Sequence, residues 1–118
     1  MSYLAAVAST DGKVVNQHFG RADRFHIVEV SEKGFRYKES RYVTPPCHRG
    51  SHDENGFLSA RETLKDVSAV IVSKIGGEAE NFLESEGFRV YEAPYPIETL
   101  MEKIVRDKIF DKDKWENR

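Results

Sequence analysis

The sequence has a single cysteine, no excess of positive charge, and no apolar run approaching the roughly 20 residues that cross a bilayer. Each absence excludes something. Cys47 cannot close an internal disulfide, so the fold has to stand on its core, as expected of a protein in a reducing cytoplasm. The N-terminus lacks a basic stretch followed by an apolar one, so neither export nor membrane insertion is expected. Against 20 Asp plus Glu stand 18 Lys plus Arg, a formal net charge of -2, which offers no broad footprint for nucleic acid. Catalytic signatures are missing too: there is no GxxxxGK[ST] phosphate loop, no GxGxxG and no GxSxG elbow. The first apolar segment carries no carboxylate, which removes the basis for two-metal nuclease chemistry. No internal repeat or low-complexity linker divides the chain.

What is present fits one folded domain. The chain has 118 residues, 39% hydrophobic and 32% charged, enough for one compact core and not for two. Tyr3 to Ala8 is nearly continuous in apolar residues and reads as a buried central strand, closed by the turn dipeptide Asp11-Gly12. Arg24 to Val30 alternates Phe25, Ile27 and Glu29 with His26, Val28 and Val30. After Lys33-Gly34, Phe35 to Tyr42 alternates in the same way, so the first third reads as an antiparallel meander. From there the pattern changes. Phe57, Ala60, Arg61 and Leu64 keep helical spacing, and good helix formers run from Ser59 to Val67. Ala69 to Val72 is a compact strand, and Glu78 to Glu86 a helix with Ala79, Phe82 and Leu83 on one face and Gly87 as its C-cap. Phe88 to Tyr91 is a further strand, and Pro96 to about Arg106 a helix with Ile97, Leu100, Met101, Ile104 and Val105 on one side. Strands alternating with helices predict an α/β domain with a five-stranded mixed sheet, the meander being followed by βαβ units. The domain is expected over residues 1–106. Residues 107–118 form a charged tail in which Ile109, Phe110 and Trp115 leave room for docking.

Three segments are expected to converge beyond the carboxyl ends of the parallel strands. The first loop carries His18-Phe19-Gly20-Arg21. A second carries Lys74, with Gly76-Gly77 opening a helix whose bare N–H groups suit an anion. The third, residues 44–56, reads as a long structureless loop holding Cys47, His48 and His52 within six residues. Thiolate and imidazole are ligand types for zinc, copper and iron–sulfur species, although Cys-His-x-x-x-His is no established zinc pattern. Solvated polar residues in a Gly/Pro-rich loop account for the same spacing. Arg21, Arg24, Arg49 and Lys74 are positioned to add positive charge. His26 lies in strand patterning and reads as structural. Cys47 lacks an evident oxyanion hole, so cysteine catalysis is not expected.

The stretch from Ala6 to Phe25 closely resembles the opening of the dinitrogenase iron–molybdenum cofactor biosynthesis family, which includes NifX-type proteins and the C-terminal domain of NifB-type proteins. The family's Ser-x-Asp-Gly turn and His-Phe-Gly-x-Ala motif are matched at Ser9, Asp11, Gly12, His18, Phe19, Gly20, Ala22 and Phe25. Cys47-His48-Arg49-Gly50 is similar to the Cys-x-x-Gly loop of NifB-type tails. Val70 to Gly76 is similar to the family's later strand and Ile-Gly turn. The resemblance covers about residues 3 to 106. It implies a ribonuclease-H-like, three-layer fold without nuclease activity. It also implies a non-enzymatic carrier of iron–molybdenum cofactor or its iron–sulfur precursor, acting with cofactor-assembly proteins. His18 is then the first candidate ligand, Cys47 the next, and His48 and His52 helpers, with Arg21, Lys74, Gly76 and Gly77 around an anionic cluster. The His-rich loop departs from the family pattern and leaves zinc, copper or iron as mononuclear alternatives. A regulatory interaction domain without cargo is the remaining reading. The radical-SAM cysteine triplet of full-length NifB-type enzymes is missing, so cluster synthesis is not expected.

Overall fold

Central strands in an α/β sheet are buried on both faces, so neither face tolerates polar side chains. β1 (Ser2–Ala8) meets that condition: Ala6 and Ala8 pack into one hydrophobic cluster, while Ala5 and Val7 pack into another on the opposite face. A computed structural model of the chain describes residues 2–43, 47–48, 51–52 and 54–107, those between 47 and 57 by their backbone alone. β1 pairs antiparallel with β2 (Arg24–Ser31) and parallel with β6 (Ala69–Val72). β3 (Gly34–Tyr42) lies outside β2, and β7 (Arg89–Glu92) runs parallel outside β6. The order across this five-stranded mixed sheet is β3-β2-β1-β6-β7.

Helices cover both faces. Ala60 of α1 (Glu54–Thr63) and Ala79 and Leu83 of α2 (Gly77–Ser85) join Phe25, Ile27, Val70 and Val72 on one side. On the other, α3 (Ile97–Asp107) buries Ile97, Leu100, Met101 and Ile104 against Ala5, Val7, Ala69 and Ile71. α2 ends as expected at Gly87, whose φ of 96° suits glycine. Its N–H bonds Glu84 and that of Phe88 bonds Leu83, which satisfies the last carbonyls.

Two expectations need correction. The 44–56 stretch is not structureless. β4 (Cys47–His48) and β5 (Ser51–His52) form a two-stranded antiparallel ribbon, and α1 begins at Glu54 and ends at Thr63. Arg41 explains that end: it donates to the free Thr63 carbonyl (2.9 Å) and holds Asp66 through both guanidinium nitrogens (2.6 and 2.9 Å). Strict alternation in β3 also fails. Ile27 pairs with Glu39 and Val28 with Tyr37, so Lys38 is the extra residue of a bulge. Tyr37 and Ser40, of opposite parity in sequence, thereby come within hydrogen-bond distance (2.7 Å). The expected 107–118 tail lies outside the described residues after Asp107.

Leu83 is fully buried between α2 and the sheet. Its replacement by Ala is expected to lower unfolding free energy by about 2–5 kcal/mol, measured by denaturant titration. A loss below about 1 kcal/mol would contradict this packing.

Candidate functional site

From the ends of β1 and β6 the chain departs in opposite directions, to β2 on one side and through α2 to β7 on the other. A crevice at such a switch point, beyond the carboxyl ends of the strands, is where open α/β sheets collect ligands. Here its mouth is closed by main-chain pairing. The Ser73 N–H donates to Gln17 O (3.0 Å), the Phe19 N–H donates to Lys74 O (2.9 Å), and His18 and Lys74 form a parallel β-bridge.

Phe19 anchors this segment. It is 1% exposed, lies 6.4 Å from the Phe25 ring, and begins the 3-10 turn Phe19–Arg21. The Arg21 N–H closes that turn on His18 O at 3.0 Å. His18 is thus held by backbone on both sides while its side chain is exposed, as are those of Arg21 and Lys74. Two residues beyond Lys74, Gly76 caps α2 without any side-chain hydrogen bond. A Cβ added at Gly76 or Gly77 would meet nothing within 4 Å, so there is open space beside the start of α2, whose first N–H groups have no partner within the helix. Glu78 and Glu80 in the first turn partly offset the positive end of the dipole.

Two of the three expected segments are joined by the His18–Lys74 bridge, with Arg21 closing the turn after His18 and Gly76-Gly77 following Lys74 in the chain. β4 adjoins the Phe19–Arg21 turn, with Cα pairs within 8 Å, so the backbone of Cys47 and His48 runs beside it. His52 is the cross-strand partner of Cys47. Among the described residues no group of three or more His, Cys, Asp or Glu is arranged to hold a metal ion. Arg24 does not serve as a free cation. It donates to the Thr10 carbonyl (2.7 Å), and its guanidinium lies 5.1 Å over the Tyr42 ring. Arg49 lies outside the described residues.

Three residues outside the expected ligand set also line this region, of which Gln17 and Ser73 lie in the loops expected to converge. Glu92, at the end of β7, accepts the Ile75 N–H (2.8 Å) and so fixes the turn into α2. Gln17 Oε1 and Ser73 Oγ are buried with no hydrogen-bond partner among the described residues. Position at a strand's carboxyl end was the one available signal for Glu92 and Ser73.

The Ser-x-Asp-Gly turn supports the site from behind. Buried Ser9 Oγ donates to Asp11 Oδ1 (3.1 Å) and accepts the Gly12 N–H (2.9 Å), while Asp11 Oδ1 accepts the Lys13 and Val14 N–H groups. Those N–H bonds hold the Asp11 carboxyl below its ordinary range. Gly12 adopts φ 73°, and a Cβ there would stand 3.4 Å from the His26 ring. His26 Nε2 faces the Ser9 carbonyl (3.1 Å) and must donate to it, leaving Nδ1 to accept from Ser40 Oγ (3.0 Å). Burial is the main cause holding the His26 pKa below 6.5; the Arg24 charge acts in the same direction, against the Ser9 carbonyl and Asp11. As expected, His26 is structural.

Comparison with known proteins gives a consistent picture. The family model described as "Dinitrogenase iron-molybdenum cofactor" matches residues 1–107. The FeMo cofactor biosynthesis protein NifB of Azotobacter vinelandii is 34% identical over 111 residues, covering 90% of this chain and 22% of that protein. The protein of the same name from Frankia alni is 37% identical over 107 residues, covering 88% and 20%. The chain thus spans about a fifth of the length of these relatives. Among solved structures, the apo form of the orange protein from Desulfovibrio gigas shares the fold with a TM-score of 0.62, at 15% identity, covering 90% and 89%.

With its folded pKa below 6.5, His26 stays neutral in the fold after the unfolded chain has begun to protonate. Its contribution to stability is complete above pH 6.5 and is lost progressively as pH falls below that value. His26→Gln is expected to flatten the fall in melting temperature between about pH 7 and about pH 5. An unchanged pH slope in the variant would remove His26 as its source.

Proposed function

The chain belongs to the dinitrogenase iron–molybdenum cofactor family, and on that premise we propose that it is a non-enzymatic carrier of iron–molybdenum cofactor or of its iron–sulfur precursor. The observation that carries this reading is the exposed His18 imidazole. A buried aromatic and a β-bridge hold its backbone beside two cations and the open N-terminus of a helix.

The chemistry of the rim fits such cargo. A neutral imidazole is a ligand for iron, and a cluster with sulfide bridges is anionic. Arg21, Lys74 and the N–H groups at Gly77 and Glu78 are positioned to offset that charge. Cys47, His48 and His52 would complete the set from the β4–β5 ribbon, which adjoins the turn after His18. A single thiol cannot secure a cluster, and Glu78 and Glu80 weaken the pull of the helix end. These features favour a short hold and transfer to a cofactor-assembly protein over permanent storage. The strand order, with β2 antiparallel among otherwise parallel strands, supports the ribonuclease-H-like description, and the absence of carboxylates on β1 supports loss of nuclease chemistry.

One observation favours a second reading. Cys47 and His52 are direct cross-strand partners, the closest spacing a two-stranded ribbon offers. Of the three residues of a mononuclear zinc, copper or iron site, Cys47, His48 and His52, that register pairs the first with the last.

Anaerobic incubation with isolated cofactor, or with iron and sulfide, is expected to give visible absorption that co-elutes with the protein. His18→Ala and Cys47→Ala are each expected to weaken binding by about tenfold or more. Failure of the intact reduced protein to take up either cargo would end the carrier reading. One tightly held metal ion without sulfide, lost in His52→Ala and retained in His18→Ala, would establish the mononuclear site instead.

A further inference from the structure

α3 carries two chemically different stripes. Ile97, Leu100, Met101 and Ile104 are buried in the core, whereas Glu98 and Glu102, one turn apart, are exposed. The helix adjoins β2 and β3 as well as packing with β1 and β6. Between its first turns and the β2–β3 pair lies a groove of about 940 Å³, within the size range of small-molecule sites. Val28, Phe35 and Tyr37 give it an apolar lining, and the Asp11–Lys13 turn contributes to its wall. Tyr37 is 60% exposed, so a large aromatic surface faces this space rather than the core.

The polarity of the groove follows from the hydrogen-bond chain behind Tyr37. His26 Nε2 donates to the Ser9 carbonyl, so the neutral ring can only accept at Nδ1. Ser40 Oγ uses its one proton on that nitrogen. Tyr37 Oη, 2.7 Å from Ser40 Oγ, must therefore donate to it, and has only lone pairs left for anything in the groove. The Asp11 carboxylate, with Oδ1 accepting the Lys13 and Val14 N–H groups, is another acceptor. Glu98 and Glu102 add two more, and neither has an ion-pair partner among the described residues. Like charges four residues apart on a helix repel. Lys13 is the one cation of the lining among the described residues, and it pairs with none of the three carboxylates.

An apolar lining edged by unpaired acceptors is complementary to one class of ligand. We propose that this groove binds a small primary amine, its ammonium group at Glu98 and Glu102 and its apolar body against Phe35 and Tyr37. An ammonium has three donors and no acceptor, so it meets the carboxylates with the right polarity and relieves the repulsion along α3. The faces of the two rings are also favourable neighbours for a cation. A carboxylate of the same shape is rejected by charge and finds no free donor except Lys13. His18, Arg21, Lys74 and Gly76 do not line the groove, so the amine site is independent of the carrier reading.

Titration of isotope-labelled protein with phenethylamine, followed by amide NMR, is expected to give saturable shifts at residues 35–37 and 96–102. Phenylacetate and phenethyl alcohol, anionic and neutral counterparts of similar shape, are expected to bind about tenfold more weakly or not at all. The pair Glu98→Gln with Glu102→Gln should weaken phenethylamine binding by about tenfold or more, and Tyr37→Ala by several-fold, while the melting curve shows a folded domain. Glu84→Gln, exposed on α2 and outside the groove, should leave binding unchanged. Absence of saturable shifts at these residues, or equal binding of phenylacetate, overturns the proposal. Phenethylamine binding that the double glutamine variant or Tyr37→Ala retains in full overturns it too. Shifts at the same residues that follow protein concentration without any amine assign the groove to a second copy of the chain and also overturn it.

Discussion

Parallel pairing between β1 and β6 is the constraint on which the remaining arrangement depends. Two strands from distant parts of the chain end side by side only because Ala5–Val7 and Ala69–Ile71 bury both of their faces in common. Once they do, the loops that leave them are adjacent, and main-chain hydrogen bonds between residues 17–19 and 73–74 extend the ladder beyond the sheet proper. Phe19 then ties that extension back into the core. The rim is therefore a continuation of secondary structure rather than a free loop, which is how a single exposed imidazole comes to have a defined position.

That arrangement also resolves the charge problem. A domain with nearly balanced charge has no long-range attraction for anions, and one of the four cations expected to help, Arg24, is occupied with a carbonyl and a ring. Arg21, Lys74 and the open start of α2 lie on one rim, so local field replaces net charge. Glu78, Glu80 and Glu92 moderate that field from the same quarter.

Where burial alone decides structure, the residues were legible. The unbroken apolar run of β1, the Ala69–Val72 strand, the Ile97–Ile104 stripe and the glycine after α2 each follow from a local rule, and the structure obeys them. The family resemblance, carried by Ser9 to Phe25, singled out His18 and a later turn at Lys74, and the structure joins these two by a β-bridge. What escaped were features made by pairing across distance. The bulge at Lys38 falls between the Ile27–Glu39 and Val28–Tyr37 pairs, and no parity count within β3 reveals it. The Cys47–His52 register joins residues of two separate strands, and the end of α1 is met by Arg41 from twenty-two residues earlier, so neither shows in local propensity. Glu92 acts through one backbone N–H, seventeen residues away in sequence, and carries no motif.

The β-bridge between His18 and Lys74 uses peptide groups alone, and the capping of α2 at Gly76 involves no side chain either. The residues that face the crevice are thereby decoupled from the free energy of folding. A lineage can exchange the imidazole or the ammonium for another group in one mutational step and keep the scaffold intact. Such a domain is evolvable at its rim: the exposed side chains there can change while the core, under separate and stricter selection, stays the same.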